Sequence, residues 1–308
     1  MKSVILGGVV FLSLVIAAAS NLFACWGARP LSMGGAFIAV SDDVHSIYWN
    51  PAGLSKVKKF EITYTRWLDR RDNVNYDDFV GGAISLGVCT LGASYTYNQD
   101  KFDDYIINIQ GKPHKIEDPR RKDDYVNLGC GAFLNKEGTL SVGLNIKSFR
   151  STWRATDVSA NPPDHVYDSD IVYLLDFGLL WDADPKLAFG ILGQNFNEPG
   201  IFDKKMIFNL RPGIAWKPVK GLTYVFDLYD VLNNSNGEAG RNIRIGAEIQ
   251  ADKHVALRLG CYNINNSESK AYTAGWGLNV NGWKIDYGFM YWNEAGYLQH
   301  LLAFGYAY

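Results

Sequence analysis

AYTAGWGLNVNGWKIDYGFMYW, residues 271–292, is the stretch whose reading decides the fold. Tyr272, Ala274, Trp276, Leu278 and Val280 alternate with Thr273, Gly275, Gly277 and Asn279. Asn281-Gly282 then turns the chain into a further segment that begins at Trp283. Successive side chains of a strand point to opposite faces, so the segment has one large apolar face and one small or polar face. A soluble sandwich or barrel alternates as well. Gly, Ala, Ser, Thr and charged residues make no dry core, however, while the opposite face is continuously large and aromatic. The apolar face is therefore expected to point outward, into lipid.

The same period of two recurs from Phe60 onward. Phe60, Ile62 and Tyr64 alternate with Glu61, Thr63 and Thr65, and Leu140, Val142, Leu144 and Ile146 with Ser141, Gly143, Asn145 and Lys147. Segments begin near residues 60, 78, 90, 125, 139, 170, 186, 209, 222, 242, 255, 271, 283 and 297. That makes about fourteen strands, each near the length of a tilted membrane strand.

Connections alternate too. Gly87-Val88-Cys89, Ala183-Asp184-Pro185 and Asn281-Gly282 are short, whereas 69–77, 98–124, 151–169, 197–208 and 230–241 are long and polar. Short periplasmic turns and long external loops are the wiring of a closed outer-membrane barrel. Trp181, Trp216 and Trp283 beside short turns, and Trp67 and Trp292 beside long ones, suit the two headgroup levels. The expected fold class is all-β, a closed antiparallel transmembrane β-barrel of about 14 strands spanning residues 60–308. The last segment, ending on Tyr308, resembles the assembly signal of bacterial outer-membrane barrels. That resemblance implies the barrel assembly machinery as a partner during biogenesis.

Residues 1–24 read as a signal peptide: Lys2, an apolar run from Val4 to Ala19, then small residues. Leu22-Phe23-Ala24-Cys25 resembles a lipoprotein box, with bulky Phe23 where a small residue is usual. The expected location is the cell outer membrane. A formal net charge of -2 argues against nucleic acid, which calls for a concentrated basic face. Cys89, Cys130 and Cys261 are an odd, widely spaced set and read as small apolar fillers, with no zinc spacing. Neither a Gly-x-Ser-x-Gly elbow nor His-Glu-x-x-His nor a Walker loop is present. No enzyme, catalytic residue, metal or cofactor is expected.

Residues 25–59 are left over ahead of the first strand. They contain Met33-Gly34-Gly35-Ala36-Phe37-Ile38-Ala39-Val40-Ser41-Asp42-Asp43 and then Ile47-Tyr48-Trp49-Asn50-Pro51-Ala52-Gly53-Leu54. In order and spacing this resembles the N-terminal signature of the outer-membrane hydrophobic-compound transporters of the FadL type. It is still more similar to their relatives, the PorV/PorQ group and the UPF0164 barrels. The resemblance implies that the segment folds back into the barrel as a hatch, its Asn-Pro-Ala turn lying in the lumen. Gly34 and Gly35 allow close approach to the wall, and Pro51 preorganises a turn after Asn50. Gly129, Gly131, Gly143, Gly246, Gly260, Gly275 and Gly277 offer Phe37, Tyr48 and Trp49 a small-residue wall. An ordinary linker is the alternative, in which those aromatics would be badly solvated.

Inward positions also carry Glu61, Asp176, Arg211, Asp227, Arg244, Glu248, Arg258 and Asp286. Mixed signs point to paired charges bracing lumen and hatch. Alternatively, Arg211, Arg244 or Arg258 holds a ligand carboxylate, which matches a guanidinium fork. Phe37, Tyr48 and Trp49, with Phe79, Phe133 and Tyr262, would then line the apolar part of the site. Pro212 falls inside a strand, where it has no N–H for the ladder, and marks a bulge or a break in the wall. Two functions are expected from these residues and the resemblance. One is passive uptake of hydrophobic small molecules such as long-chain fatty acids, through a barrel embedded in outer-membrane lipid. The other is a PorV-like accessory barrel that docks a protein of a secretion or envelope machine.

Overall fold

The computed structural model describes residues 27–68, 76–109, 111–202, 204–234 and 241–308. The expected signal peptide and Cys25 lie outside the described residues, as do parts of the loops at 69–77 and 230–241.

Among the described residues seventeen strands are formed, fourteen of them in the barrel wall. The wall begins with β1 (Phe60–Trp67), β2 (Tyr76–Ser85) and β3 (Thr90–Lys101). A short β4 (Tyr105–Ile109) folds back on β5 (Lys112–Phe133), which itself pairs with β3. The wall continues through β6 (Leu140–Asp157), β7 (Asp164–Asp184) and β8 (Leu187–Gln194). A small hairpin, β9 (Gly200–Ile201) and β10 (Lys204–Lys205), interrupts it. Then come β11 (Asn209–Trp216), β12 (Leu222–Tyr229), β13 (Asn242–Gln250) and β14 (Val255–Tyr262). The last three are β15 (Ala271–Val280), β16 (Trp283–Trp292) and β17 (Tyr297–Ala307). Each pairs antiparallel with its neighbour, and β17 returns to β1 with Tyr306 opposite Ile62 and Phe304 opposite Tyr64. The barrel is closed and has no free edge within the wall.

The two faces divide as the alternation predicts. Ile62, Leu91, Leu144, Leu259, Trp276 and Phe304 stand exposed outside, while Thr65, Ser94, Asn127, Asn145, Asp176 and Asp227 are buried inside. This inverts the usual soluble pattern and fits an outer surface solvated by hydrocarbon. Aromatic pairs cross adjacent strands on that surface: Trp181 on Phe189, Trp216 on Tyr224 and Trp276 on Tyr287.

One expectation needs correction. Residues 98–124 and 151–169 are largely strand rather than loop, because β5, β6 and β7 run for 22, 18 and 21 residues. Beyond the membrane neither face has to be apolar, so the period-two signal fades although the ladder continues. A register shift between Glu117 and Arg120, with Asp118 at φ 51, breaks the pattern further. The charged run Asp118–Asp124 therefore lies in a strand, with Arg121 and Asp123 buried and 3.2 Å apart.

Pro212 behaves as both a regular and an irregular strand residue. Toward β8 the ladder passes through it unbroken, opposite Ile191. Toward β12 the ladder stops at Gly213 opposite Asp227. Beyond it the register slips by one: Leu210 accepts from the Val231 amide at 3.0 Å, and Asp230 sits at φ 51. The missing N–H thus makes a bulged seam between β11 and β12.

Candidate functional site

The segment ahead of β1 fills the lumen. It forms a helical turn α1 (Ala28–Ser32), a second turn α2 (Ser46–Trp49), and a 3-10 turn over Pro51–Lys56. Asn50 caps the last, its Oδ1 accepting the Ala52 amide at 3.2 Å, with Pro51 at the first position, where no N–H is needed. Phe37, Trp49, Leu31, Ile47 and Leu54 are wholly buried. Short turns of this size have no stability alone, so the wall must supply it.

The wall does so through glycines. A Cβ on Gly143 would lie 2.2 Å from the Pro51 carbonyl carbon, and one on Gly246 would lie 2.3 Å from the Met33 oxygen. Gly260 would meet the Gly34 nitrogen at 2.2 Å, Gly190 the Ile38 oxygen at 2.5 Å and Gly131 the Pro51 oxygen at 2.6 Å. The expected glycine wall is therefore the seat of the hatch. Gly277 is the departure, since it lies against Arg258 and Asp286 instead.

Polar side chains of the wall bind the hatch backbone. Asp227 accepts from the Phe37 and Ile38 amides at 2.6 and 2.9 Å. Thr273 accepts the Gly34 amide at 2.9 Å and donates to the Ser32 carbonyl. Asn145 donates to the Ile47 carbonyl at 3.0 Å. From the hatch side, the Asn50 amide donates to Ile38 and to Leu179 of β7, at 3.0 and 3.1 Å. Each bond that involves a charged partner contributes about 1.5–3 kcal/mol.

An ionic clasp holds the hatch at the short-turn end. Arg29 pairs with Glu248 and Asp43 at 3.0 Å each, and with Asp42. Arg258 bonds Glu248 at 2.7 Å and also Asp286, while Lys284 holds Glu61 at 2.8 Å. Lys56 reaches Asp182 at 2.9 Å. Burial alone would raise the Asp43 carboxyl, but His45 and Arg29 outweigh it and hold it well below the usual carboxylate range.

The sequence-predicted ligand residues separate into two groups. Arg211 and Arg244 come together: both guanidiniums face the Tyr229 ring, at 3.9 and 4.6 Å from its centroid. Arg244 also lies 4.1 Å from the Tyr262 ring centroid and donates to its hydroxyl at 2.7 Å. Arg258 is not with them, being spent in the clasp. Tyr48 packs edge-on against Trp49, and Trp49 edge-on against Phe37. Phe79 is buried against His45 of the hatch, whereas Phe133 is 42% exposed and lines the open mouth at the short-turn end. Gly34, Gly35, Ala52 and Gly53 all lie buried within the hatch, where Gly34 and Gly35 adopt φ 67.

The residues missed by sequence reasoning as hatch ligands are Asn145 and Thr273, whereas Asp227 is among the charges expected to brace lumen and hatch. Asp227 had a signal: an inward carboxylate between Phe226 and Leu228 with no partner nearby in its own strand. The space bounded by Gly35, Ile38, Trp49, Arg211, Asp227, Tyr229 and Arg244 has no room for even a water-sized molecule. Ligand pockets run to about 300–1,000 Å³, so this conformation is closed. Among the described residues, no cluster of three His, Cys, Asp or Glu is placed to hold a metal.

A closed fourteen-stranded barrel with its own N-terminal segment seated inside it is a fold that solved structures share. The solved structures it resembles bear this out for the fold. The toluene transporter TbuX of Ralstonia pickettii superposes at TM-score 0.66 with 12% identity, over 92% of this chain and 98% of that one. The toluene transporter TodX of Pseudomonas putida gives 0.63 and 10%, over 92% and 96%. A FadL homologue of Pseudomonas aeruginosa gives 0.56 and 9%, over 89% and 96%. No protein-family model matches the sequence, and no curated protein matches it.

Proposed function

We propose that this protein is an outer-membrane barrel for passive uptake of hydrophobic small molecules, exported by its N-terminal segment and inserted with its short turns toward the periplasm. The observation that carries this reading is the hatch itself, a separate segment seated in the lumen on wall glycines and bound through its backbone by Asp227, Thr273 and Asn145. The shared fold with two toluene transporters supports it. Long-chain fatty acids suit the Arg211–Arg244 pair, whose guanidinium forks match a carboxylate. The bulged seam at Pro212 adjoins Arg211 and supplies a weak place in the wall for sideways release, whereas the FadL-type resemblance implies such release through a kink elsewhere, in the third strand. Liposomes carrying the purified protein should accumulate oleate and toluene faster than empty ones. Equal rates with and without protein would sink the proposal.

A second reading has its own observation. β5, β6 and β7 extend well past the length a membrane strand needs, forming a blade beyond the barrel. Together with the PorV/PorQ and UPF0164 likeness of the N-terminal motif, this supports a docking barrel for a secretion-machine protein. Stoichiometric recovery of an envelope partner, with no stimulation of uptake, would favour it.

A further inference from the structure

Above the hatch, the inner faces of β5, β6 and β7 carry an apolar patch apart from the one that packs on the hatch. Phe149 and Leu174 are each 1% exposed, and Val172 is buried beside them. Tyr125 stacks on Phe149 with ring centroids 4.3 Å apart. These side chains share the inward parity of buried Asn127, Asn145, Lys147 and Asp176, while Ile146 and Tyr173 between them are exposed outside.

The loop between β8 and β11 covers this patch. It turns into the lumen, and Ile201, Phe202 and Met206 pack against the wall residues. Its backbone takes left-handed conformations at Asn195 (φ 59), Glu198 (φ 42) and Phe202 (φ 49). For a bulky aromatic that conformation is a true outlier, kept only where the surroundings enforce it. Asp170 enforces it here, accepting the Phe202 amide at 2.6 Å. Glu198 adds a bond from the Phe208 amide at 3.1 Å and one from Lys205 at 3.0 Å. A strained backbone thus holds three apolar side chains in the place a ligand would take.

We propose that the patch of Tyr125, Phe149, Val172 and Leu174 is a binding site for a neutral hydrocarbon-like molecule. Ile201, Phe202 and Met206 occupy it as an intramolecular stand-in that an incoming molecule displaces. The ligand is neutral because the nearby charges are already matched: Lys147 with Asp176 at 2.9 Å, and Arg121 with Asp123 and Asp100. No fork is left there for a carboxylate. This inference rests on the uptake reading and assigns it an entry site and a gate.

The test is a fluorescence titration of the detergent-purified full chain with N-phenyl-1-naphthylamine. Phe202→Ala removes the stand-in and should tighten binding about five- to tenfold, since a site blocked by its own loop loses affinity in proportion to its blocked fraction. Adding Leu174→Trp, which fills the patch, should abolish that gain. An affinity unchanged or weakened in Phe202→Ala, with unheated protein still migrating as a folded barrel, overturns the proposal. If that variant does not assemble, Asp170→Ala decides by the same criterion, because it removes the acceptor of the Phe202 amide and leaves the loop's apolar side chains intact. Liposome uptake by the parent protein separates the two claims. Binding gained without any uptake leaves the site standing and removes transport; uptake without a gain in binding removes the site alone.

Discussion

Gly178 of β7 lies so close under Asn50 of the hatch that a Cβ at 178 would stand 2.0 Å from Asn50 Oδ1. At Gly143, on the adjacent strand, the obstacle is the Pro51 carbonyl carbon. Neither atom yields without moving the whole turn. Gly143→Val or Gly178→Val should therefore displace the hatch at a cost of about 1–3 kcal/mol, the range for overpacking. Single-channel conductance in planar bilayers should rise while the barrel still assembles. Deleting residues 27–59 should set the upper bound of that rise.

Asp227 offers a test from the wall side. Asp227→Ala leaves the Phe37 and Ile38 amides buried without their acceptor, at about 1–3 kcal/mol each. Hydrogen exchange at these two amides should accelerate well over tenfold, with strand amides of β15 to β17 unaffected. Uniform exchange across hatch and wall would contradict the clamp.

The arginines should behave differently from one another. Neutralising Arg211 or Arg244 should weaken oleate binding by about 1.5–3 kcal/mol if the pair holds a carboxylate, as hydrogen bonds to charged groups do. Arg258→Ala should leave oleate affinity nearly unchanged and raise conductance instead, because Arg258 serves Glu248 and Asp286. Calorimetry and bilayer recording distinguish the two effects. Equal losses of affinity at all three positions would argue against the division.

Acid should loosen the hatch. The Asp43 carboxyl is held below its ordinary value in the folded protein, so it contributes stability fully above the unfolded value, about 3.9. That contribution is lost as the pH falls below 4 toward the lower folded value. Arg29, Asp42, His45, Glu61 and Lys284 all bear on the same cluster. Conductance should climb as the pH falls below about 4, and more steeply in the parent than in Asp43→Asn. Identical profiles would remove Asp43 from the clasp.

Where one face meets hydrocarbon, the sequence is easy to read. Strand starts at 60, 90, 209, 222, 242, 255, 271, 283 and 297 coincide with those observed. Where lipid ends, the constraint on composition ends too, and the outer reaches of β5, β6 and β7 looked like loops. Trp153 and Ile116, buried in those reaches, belong to a small apolar cluster that no periodicity announced. The hatch was legible through Asn50, Pro51 and the inward glycines, because close packing of backbone on backbone permits only glycine. Its anchors were less so. Asp227 and Thr273 bind main-chain amides, which leave no mark on the partner's side chains, and the separation of Arg258 from Arg211 depends on position along the barrel axis.

Only Val57, Lys58 and Lys59 connect the 3-10 turn to β1. Three extended residues reach roughly 10 Å, a short leash on a rod-shaped lumen. The Asn50 turn is therefore hobbled close to the foot of β1, while Arg29 to Val40 lie further from that anchor along the chain. In the uptake reading, opening is a swing rather than an ejection, with the end around Lys56 as pivot and the Arg29 end sweeping the arc.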